Sequence, residues 1–449
     1  MFYDERRMNS PKALSRLPFW LFSAGFFTVT WDTLATLELG GFTLKAHQVL
    51  FALSLLSLFA QKRQEGIASF LKPLNSPFSL SLLALAGFYI GLSPWSAFPL
   101  KSFLYSCWLI FDLLAIWLTA QHLAGKGLAP RLFQTAWAIL SFLATVILVD
   151  QVAYYAFGYR GGLIGGNQDL VLNWGLSRPH AFSFEPSYIA SFLSIGLVTL
   201  SAQQLQIAKR RWAFWLSFSA IAFAILATTS RTGFFSLVLG FGLIAVLPLL
   251  AGKKATAKPA VLFLGVTFLM AALFYLSTPQ KQIGAIDKKL VGSIARGEDG
   301  SGNARLRAFG LALDYANETH WLGTGLAASY RYHLEKGIDD YIAPGKFSQK
   351  HFGSELIMST WGQLLAEGGI VALLLFAFAG FSLARELLRR LKQLHEPIAL
   401  GTLAGTMLFF GFSALWLGNI CRGDVWVWYA LWSAVAYADP KQAGQGHFQ

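Results

Sequence analysis

Between Thr278 and Ser354 the chain reads TPQKQIGAIDKKLVGSIARGEDGSGNARLRAFGLALDYANETHWLGTGLAASYRYHLEKGIDDYIAPGKFSQKHFGS. This stretch is polar, with ten Lys/Arg, eight Asp/Glu and three His, and long apolar blocks flank it on both sides. An insert of that length is uncommon inside a compact domain. Between two membrane spans it is simply an extramembrane domain. The whole chain supports that setting: of 449 residues 55% are hydrophobic and only 13% charged, against about 25% charged in soluble domains. The abundant Phe and Trp (39 and 15) suit lipid-facing surface and the headgroup level.

Working outward from this stretch, runs of about 17–25 apolar residues mark membrane spans. Twelve are expected, near 18–38, 46–60, 78–93, 101–120, 131–149, 181–200, 212–229, 232–251, 259–277, 355–383, 398–418 and 424–438. The expected fold is an all-α polytopic membrane protein of three parts. Residues 1–277 carry spans one to nine with an external loop at 150–180. Residues 278–354 form the large loop domain, and 355–449 carry spans ten to twelve and a tail.

Loop charge orients the spans, because short loops rich in Lys/Arg stay cytoplasmic. The loops on the side of the termini hold twenty Lys/Arg, while the opposite short connections hold six: Lys45, Lys101, Arg160, Arg178, Arg231 and Arg422. Both termini are therefore expected in the cytoplasm and the long loop outside. The same rule accounts for the net charge of +13 without nucleic acid as a partner. Two cysteines, Cys107 and Cys421, make no disulfide or metal framework. Arg6, Arg7, Lys12 and Arg16 precede a long apolar run with no small-residue cleavage site, so no cleavable leader is expected.

The six outward basic residues run against the orienting bias. Lys101, Arg178 and Arg231 sit at or just inside span ends, where an ionisable residue is a functional candidate; the plain alternative is a snorkelling anchor, preferred for Lys45 and Arg422. Asp32, Asp112, Glu185 and Glu367 are acidic residues within spans. Glu185 precedes Pro186 at the start of the sixth span, facing the positive end of the helix dipole, and shares a short segment with Arg178 and His180. Glu367, about twelve residues beyond Glu355 and so roughly 18 Å deeper, is expected to pair with a buried partner. The 150–180 loop, with Tyr154, Tyr155, Tyr159, Trp174 and several glycines, suits sugar stacking or the membrane interface. In the long loop, 303–317 reads as a helix with Asn303 as N-cap and Leu306, Phe309 and Leu313 on one face. Arg305 and Arg307 then fall in its first turn, against the dipole, and Gly323-Thr-Gly325 follows as a break.

No metal site is expected, since His320, His333 and His351 lack ligand spacing, and no phosphate-binding glycine loop or dinucleotide fingerprint calls for a cofactor. Arginine from several outward elements matches phosphate and diphosphate oxygens. Such a cluster suits an anionic lipid headgroup and the charge that develops on a leaving diphosphate, with Glu or His as base for a sugar hydroxyl.

Four segments carry a family resemblance: RPHAFSFEPSYIA (Arg178 to Ala190), TTSRTG (Thr228 to Gly233), Arg305 to Gly325 with its spaced Arg, Phe and Gly-Thr-Gly, and LLAEGGIVA (Leu364 to Ala372). Their order resembles the O-antigen polymerase/O-antigen ligase family of bacterial inner-membrane glycosyltransferases. The resemblance implies a GT-C-like arrangement of about twelve transmembrane helices with a large periplasmic loop between spans nine and ten. It also implies metal-independent, inverting transfer of a glycan from undecaprenyl diphosphate in the periplasm, to lipid A-core by ligases or to another lipid-linked repeat by polymerases. Partners would be the undecaprenyl-diphosphate-linked oligosaccharide, membrane lipid and a chain-length regulator protein. By the family pattern Arg231 and Arg305 hold the diphosphate, with Arg178, Arg307 and Lys101 as further binding candidates and Glu185, His351 and Arg305 as catalytic ones. The His-Asn that ligases carry ahead of the Glu-Gly segment is absent, with Met358 or its neighbours in that register. This favours a polymerase over a ligase and leaves the base open between Glu185 and His351. A lipid-linked glycan transporter is the third reading; it would show inverted halves, and no half-to-half similarity is seen.

Overall fold

The computed structural model describes residues 12–32, 34–39, 42–159, 177–183, 185–208, 210–252, 257–278, 300–329, 359–394 and 397–437. Numbering the longer helices in order, they are α1 (Lys12–Thr28), α2 (Ala46–Lys62), α3 (Pro77–Leu92), α4 (Pro99–Asp112), α5 (Ala129–Phe157), α6 (Pro186–Ile207) and α7 (Arg211–Ala227). There follow α8 (Arg231–Leu250), α9 (Ala257–Ser277), α10 (Gly300–Glu318), α11 (Thr360–Leu394), α12 (Pro397–Leu408) and α13 (Gly423–Tyr437). Among the described residues, seven helical stretches are long and apolar enough to cross a membrane: 77–95, 99–157, 186–207, 231–250, 258–277, 360–393 and 397–416. The 99–157 stretch contains Gly127 at φ +74°, a bend that splits it near the expected cytoplasmic loop 121–131. The chain is an integral membrane protein built of helices.

Two expected spans are shorter as helices than their apolar runs. The run 18–38 stops being helical after Thr28, and an antiparallel hairpin follows, β1 (Thr36–Leu39) against β2 (Phe42–Lys45). Thr43 and the other alternating residues of these strands suit a pleated ribbon better than a helix. The run 181–200 begins its helix only at Pro186, whose ring fits the first helical position.

Alternating helix direction gathers the polar connections at two ends. At one end, Asp32 N–H donates to Phe182 O (3.0 Å), Thr360 N–H donates to Leu417 O (2.6 Å) and Gln151 Nε2 donates to Ala227 O (3.1 Å). At the other, His122 Nε2 lies 2.7 Å from Phe70 O and Arg390 Nε donates to Ala436 O (2.6 Å). α6 and α13 run through the middle and are buried along nearly their whole length. Serine, threonine and glycine let α6 pack closely on its neighbours: Ser194 Oγ donates to Gly233 O of α8 (3.1 Å), and Trp432 Nε1 of α13 donates to Thr199 Oγ1 (3.1 Å). Without a hydrophobic drive between lipid-immersed helices, small residues and cross-helix hydrogen bonds set such packing.

Candidate functional site

The Thr-Thr-Ser-Arg-Thr-Gly motif is a helix-to-helix turn that presents Arg231. Thr228 Oγ1 closes α7 by donating to Ile225 O (2.7 Å). Thr229 takes φ +53°, a strained conformation for a β-branched residue. Ser230 caps α8, its Oγ accepting from Gly233 N–H (3.4 Å). Arg231 is then the first helical residue, half-buried at the bundle end. A Cβ on Gly233 would lie 2.8 Å from Ala190 Cβ and 2.9 Å from Ile225 Cγ2, so glycine is needed for α8 to approach α6 there. Ala190 is only four residues past Pro186, so Arg231 stands beside the start of α6, where Glu185 is the N-cap. Ser187 Oγ donates to Glu185 Oε1 (2.5 Å).

The segment 177–183 folds as a turn over this end. His180 is buried and Arg178 half-buried, and Ser183 N–H donates to His180 O (3.0 Å). Phe182 lies against Trp31 (ring centroids 4.9 Å apart) and stacks on Phe142 (6.2 Å, 7°). Ser183 Oγ donates to Asp32 Oδ2 (3.3 Å), and Lys45 Nζ pairs with Asp32 Oδ1 (2.6 Å). Arg422 holds Asp424 with two hydrogen bonds, of 2.9 and 3.0 Å, and its guanidinium carbon sits 3.7 Å from the Tyr188 ring centre. Burial works against the Arg422 charge, but Asp424 and Asp32 outweigh it and hold its pKa above the ordinary arginine range. Lys45 and Arg422 are thus paired charges beneath the turn, Lys45 with Asp32 and Arg422 with Asp424. Asp424, which sequence reasoning passed over, is Arg422's partner; its signal was the Arg-Gly-Asp spacing at a span start.

The long loop is fastened at a second place. α10 begins at Gly300, three residues before the expected cap Asn303. Arg305 and Arg307 therefore lie in its second turn, beyond the reach of the dipole argument, which fades within the first. Its side chains are described from Phe309 on. The buried face is Ala312, Tyr315 and Ala316, with Ala312 and Tyr315 packed on Ala366 of α11, while Leu313 of the expected Leu306–Phe309–Leu313 face is 38% exposed and the Leu306 side chain lies outside the described residues. Beyond α10, the Thr324 and Gly325 N–H groups donate to Glu367 O (3.0 and 2.8 Å), and Ile370 N–H donates to Trp321 O (3.0 Å). Gly369 makes this seat possible: at φ +60°, ψ −156° it interrupts α11 in a region essentially reserved for glycine, and a Cβ there would collide with Trp321 O.

Glu367 is buried and paired, as expected, though only seven residues past Thr360 and so about 10 Å from the helix start. Its Oε1 accepts from Ser329 Oγ (2.7 Å) and its Oε2 from Gln363 Nε2 (2.9 Å). Gln363 Oε1 in turn accepts from Asn419 N–H (2.9 Å) and Ile420 N–H (3.1 Å). Cys421 is buried here, and burial pushes its thiol pKa well up. Lys101 belongs to this second group. It sits beside Ser102, whose Oγ donates to Leu326 O (2.7 Å), 5.7 Å from the Tyr105 ring centre. The connection 417–422 touches both groups, through Gln363 on one side and through Arg422 and Tyr188 on the other.

The structure thus brings Arg178, His180, Glu185 and Arg231 to the start of α6 and α8, and sets Lys101 with the loop seat. His351 and Arg160 lie outside the described residues, as do the side chains of Arg305 and Arg307. Among the described residues no group of three or more His, Cys, Asp or Glu could hold a metal ion.

A helical membrane bundle with an arginine-bearing turn and a buried charge network at one end defines a membrane protein with a polar site at its surface level. Residues 212–377, which run from α7 through the loop seat into α11, match the family model described as O-antigen ligase, and this match supports the O-antigen polymerase/ligase family. That family covers ligases and polymerases, with glycosyltransferase-type activity on a lipid-linked oligosaccharide in the membrane. No curated protein matches the chain.

Proposed function

We propose that the chain is a polysaccharide polymerase of the O-antigen type. It transfers a glycan from undecaprenyl diphosphate to another lipid-linked repeat unit, with inversion and without a metal, at the periplasmic face of the bacterial inner membrane. In this reading the chain crosses the membrane twelve times with both termini cytoplasmic, and a chain-length regulator is a candidate partner. The observation that carries the proposal is the close approach of α8 to α6 at Gly233 and Ala190, which brings the helix starts bearing Arg231 and Glu185 to the same end of the bundle. In this reading Arg231 is the permanent diphosphate-binding cation and Glu185 a carboxylate near it.

The chemistry then balances as follows. An acceptor hydroxyl oxygen attacks the anomeric carbon from the face opposite the diphosphate, and its proton passes to the base, Glu185 or His351. The bond from the anomeric carbon to the diphosphate oxygen breaks with its electron pair going to that oxygen, and undecaprenyl diphosphate departs. Arg231 and Arg305, with Arg178, Arg307 and Lys101 as further contacts, neutralise the growing charge.

The test is incubation of purified protein with a lipid-linked repeat, with and without lipid A-core. A ladder of products without the core is expected. Transfer only onto the core would make the chain a ligase, and no transfer in either arm would favour a transporter. Activity is expected to survive EDTA, and a loss rescued by a divalent ion would overturn the metal-free reading.

A further inference from the structure

At the end of the bundle opposite Arg231, an open cleft of ≈ 340 Å³ lies between α5, α6 and α7, lined by Trp137, Gln204, Arg210, Phe214 and Ser217 among others. Gln204 is only 8% exposed, and its Nε2 has no hydrogen-bond partner, an uncommon state for a buried amide. That amide is a donor awaiting an acceptor in the cleft. Arg210 is the N-cap of α7, a 17-residue helix, and no side chain caps it, so the first N–H groups and the positive helix end face the same space. Residues 201–213 contain Lys209, Arg210 and Arg211 and no Asp or Glu. Trp137 and Phe214 stack as an apolar wall (ring centroids 5.5 Å apart, 13°), while Trp212 and Leu216, each 64% exposed, present further apolar surface on another face of α7.

We propose that this cleft binds the phosphate of an anionic phospholipid headgroup in the leaflet at that end, with the acyl chains against α7. The phosphate oxygens would accept from Gln204 Nε2, the Arg210 guanidinium and the free N–H groups of α7. A free phosphate would satisfy the same donors but leave the apolar wall unused.

Thermal melting and native mass spectrometry of the purified full-length protein test this with phosphatidylglycerol, phosphatidylcholine and inorganic phosphate as probes. Phosphatidylglycerol is expected to raise the melting temperature at concentrations at least about ten-fold lower than phosphatidylcholine does, since charge-assisted hydrogen bonds are the strong ones. Arg210→Ala and Gln204→Leu should each erase that preference. Without lipid, Gln204→Leu should melt no lower than the parent, because it removes an unpaired buried donor. Equal shifts with the two lipids, the full shift with inorganic phosphate alone, a preference intact in both variants, or a lowered lipid-free melting temperature of Gln204→Leu would each overturn the proposal. Polymer synthesis plays no part in these readouts.

Discussion

Replacing Glu367 by leucine tests whether the loop seat is a single coupled device. The carboxylate accepts from Ser329 Oγ at 2.7 Å, from Ser329 N–H at 3.4 Å and from Gln363 Nε2 at 2.9 Å, with all these groups buried. Leucine leaves those donors without an acceptor, and each such loss costs about 1–3 kcal/mol. Gln363 cannot turn its amide to compensate, since its Oε1 already accepts from Asn419 and Ile420 N–H. The 3.4 Å bond is long and weak, so a total of roughly 2–6 kcal/mol is expected from the two strong ones. Ser329→Ala alone should cost about 1 kcal/mol. The double variant should fall short of the sum by about 0.5–3 kcal/mol, as for residues in one hydrogen-bond network. Unfolding of the four proteins in mixed detergent–SDS micelles, followed by tryptophan fluorescence, measures the cycle. Strictly additive losses, or a Glu367→Leu protein as stable as the parent, would refute a carboxylate shared between the loop and α11.

Arg231→Ala should abolish polymer while the protein stays in the membrane at parental abundance. Arg231→Lys should rescue little of it, because an ammonium cannot reproduce a two-pronged contact to diphosphate; normal polymer in a membrane assay of either would remove Arg231 from the site. At the nearly buried Arg422–Asp424 pair, whose side chains are 13% and 12% exposed, Arg422→Ala should destabilise by about 3–5 kcal/mol. Arg422→Met combined with Asp424→Leu should cost less, since breaking a buried pair is worse than replacing it; the micelle unfolding assay decides. Cys421 should resist iodoacetamide at neutral pH in a Cys107→Ser background until the protein is unfolded, because burial keeps its thiol protonated. Rapid labelling of the folded protein, read by mass spectrometry, would contradict that.

The sequence by itself determined the membrane-spanning helical architecture, the segments that carry the family resemblance and the turn that bears Arg231. These rest on composition, run length and local turn chemistry, which neighbouring residues settle among themselves. It also showed that Glu367 had to find a partner, because a carboxylate that deep in an apolar run cannot stay unpaired. Only the tertiary structure decided which partners the charges took. Ser329 and Gln363 meet Glu367 from 38 and 4 residues away, and Asp32 meets Lys45 and Ser183 across the hairpin and the 177–183 turn. The buried face of α10 and the break at Gly369 were likewise set by backbone approach between segments distant in the chain. Such contacts leave no periodic mark in the residues that make them, so they become visible only once the helices are packed.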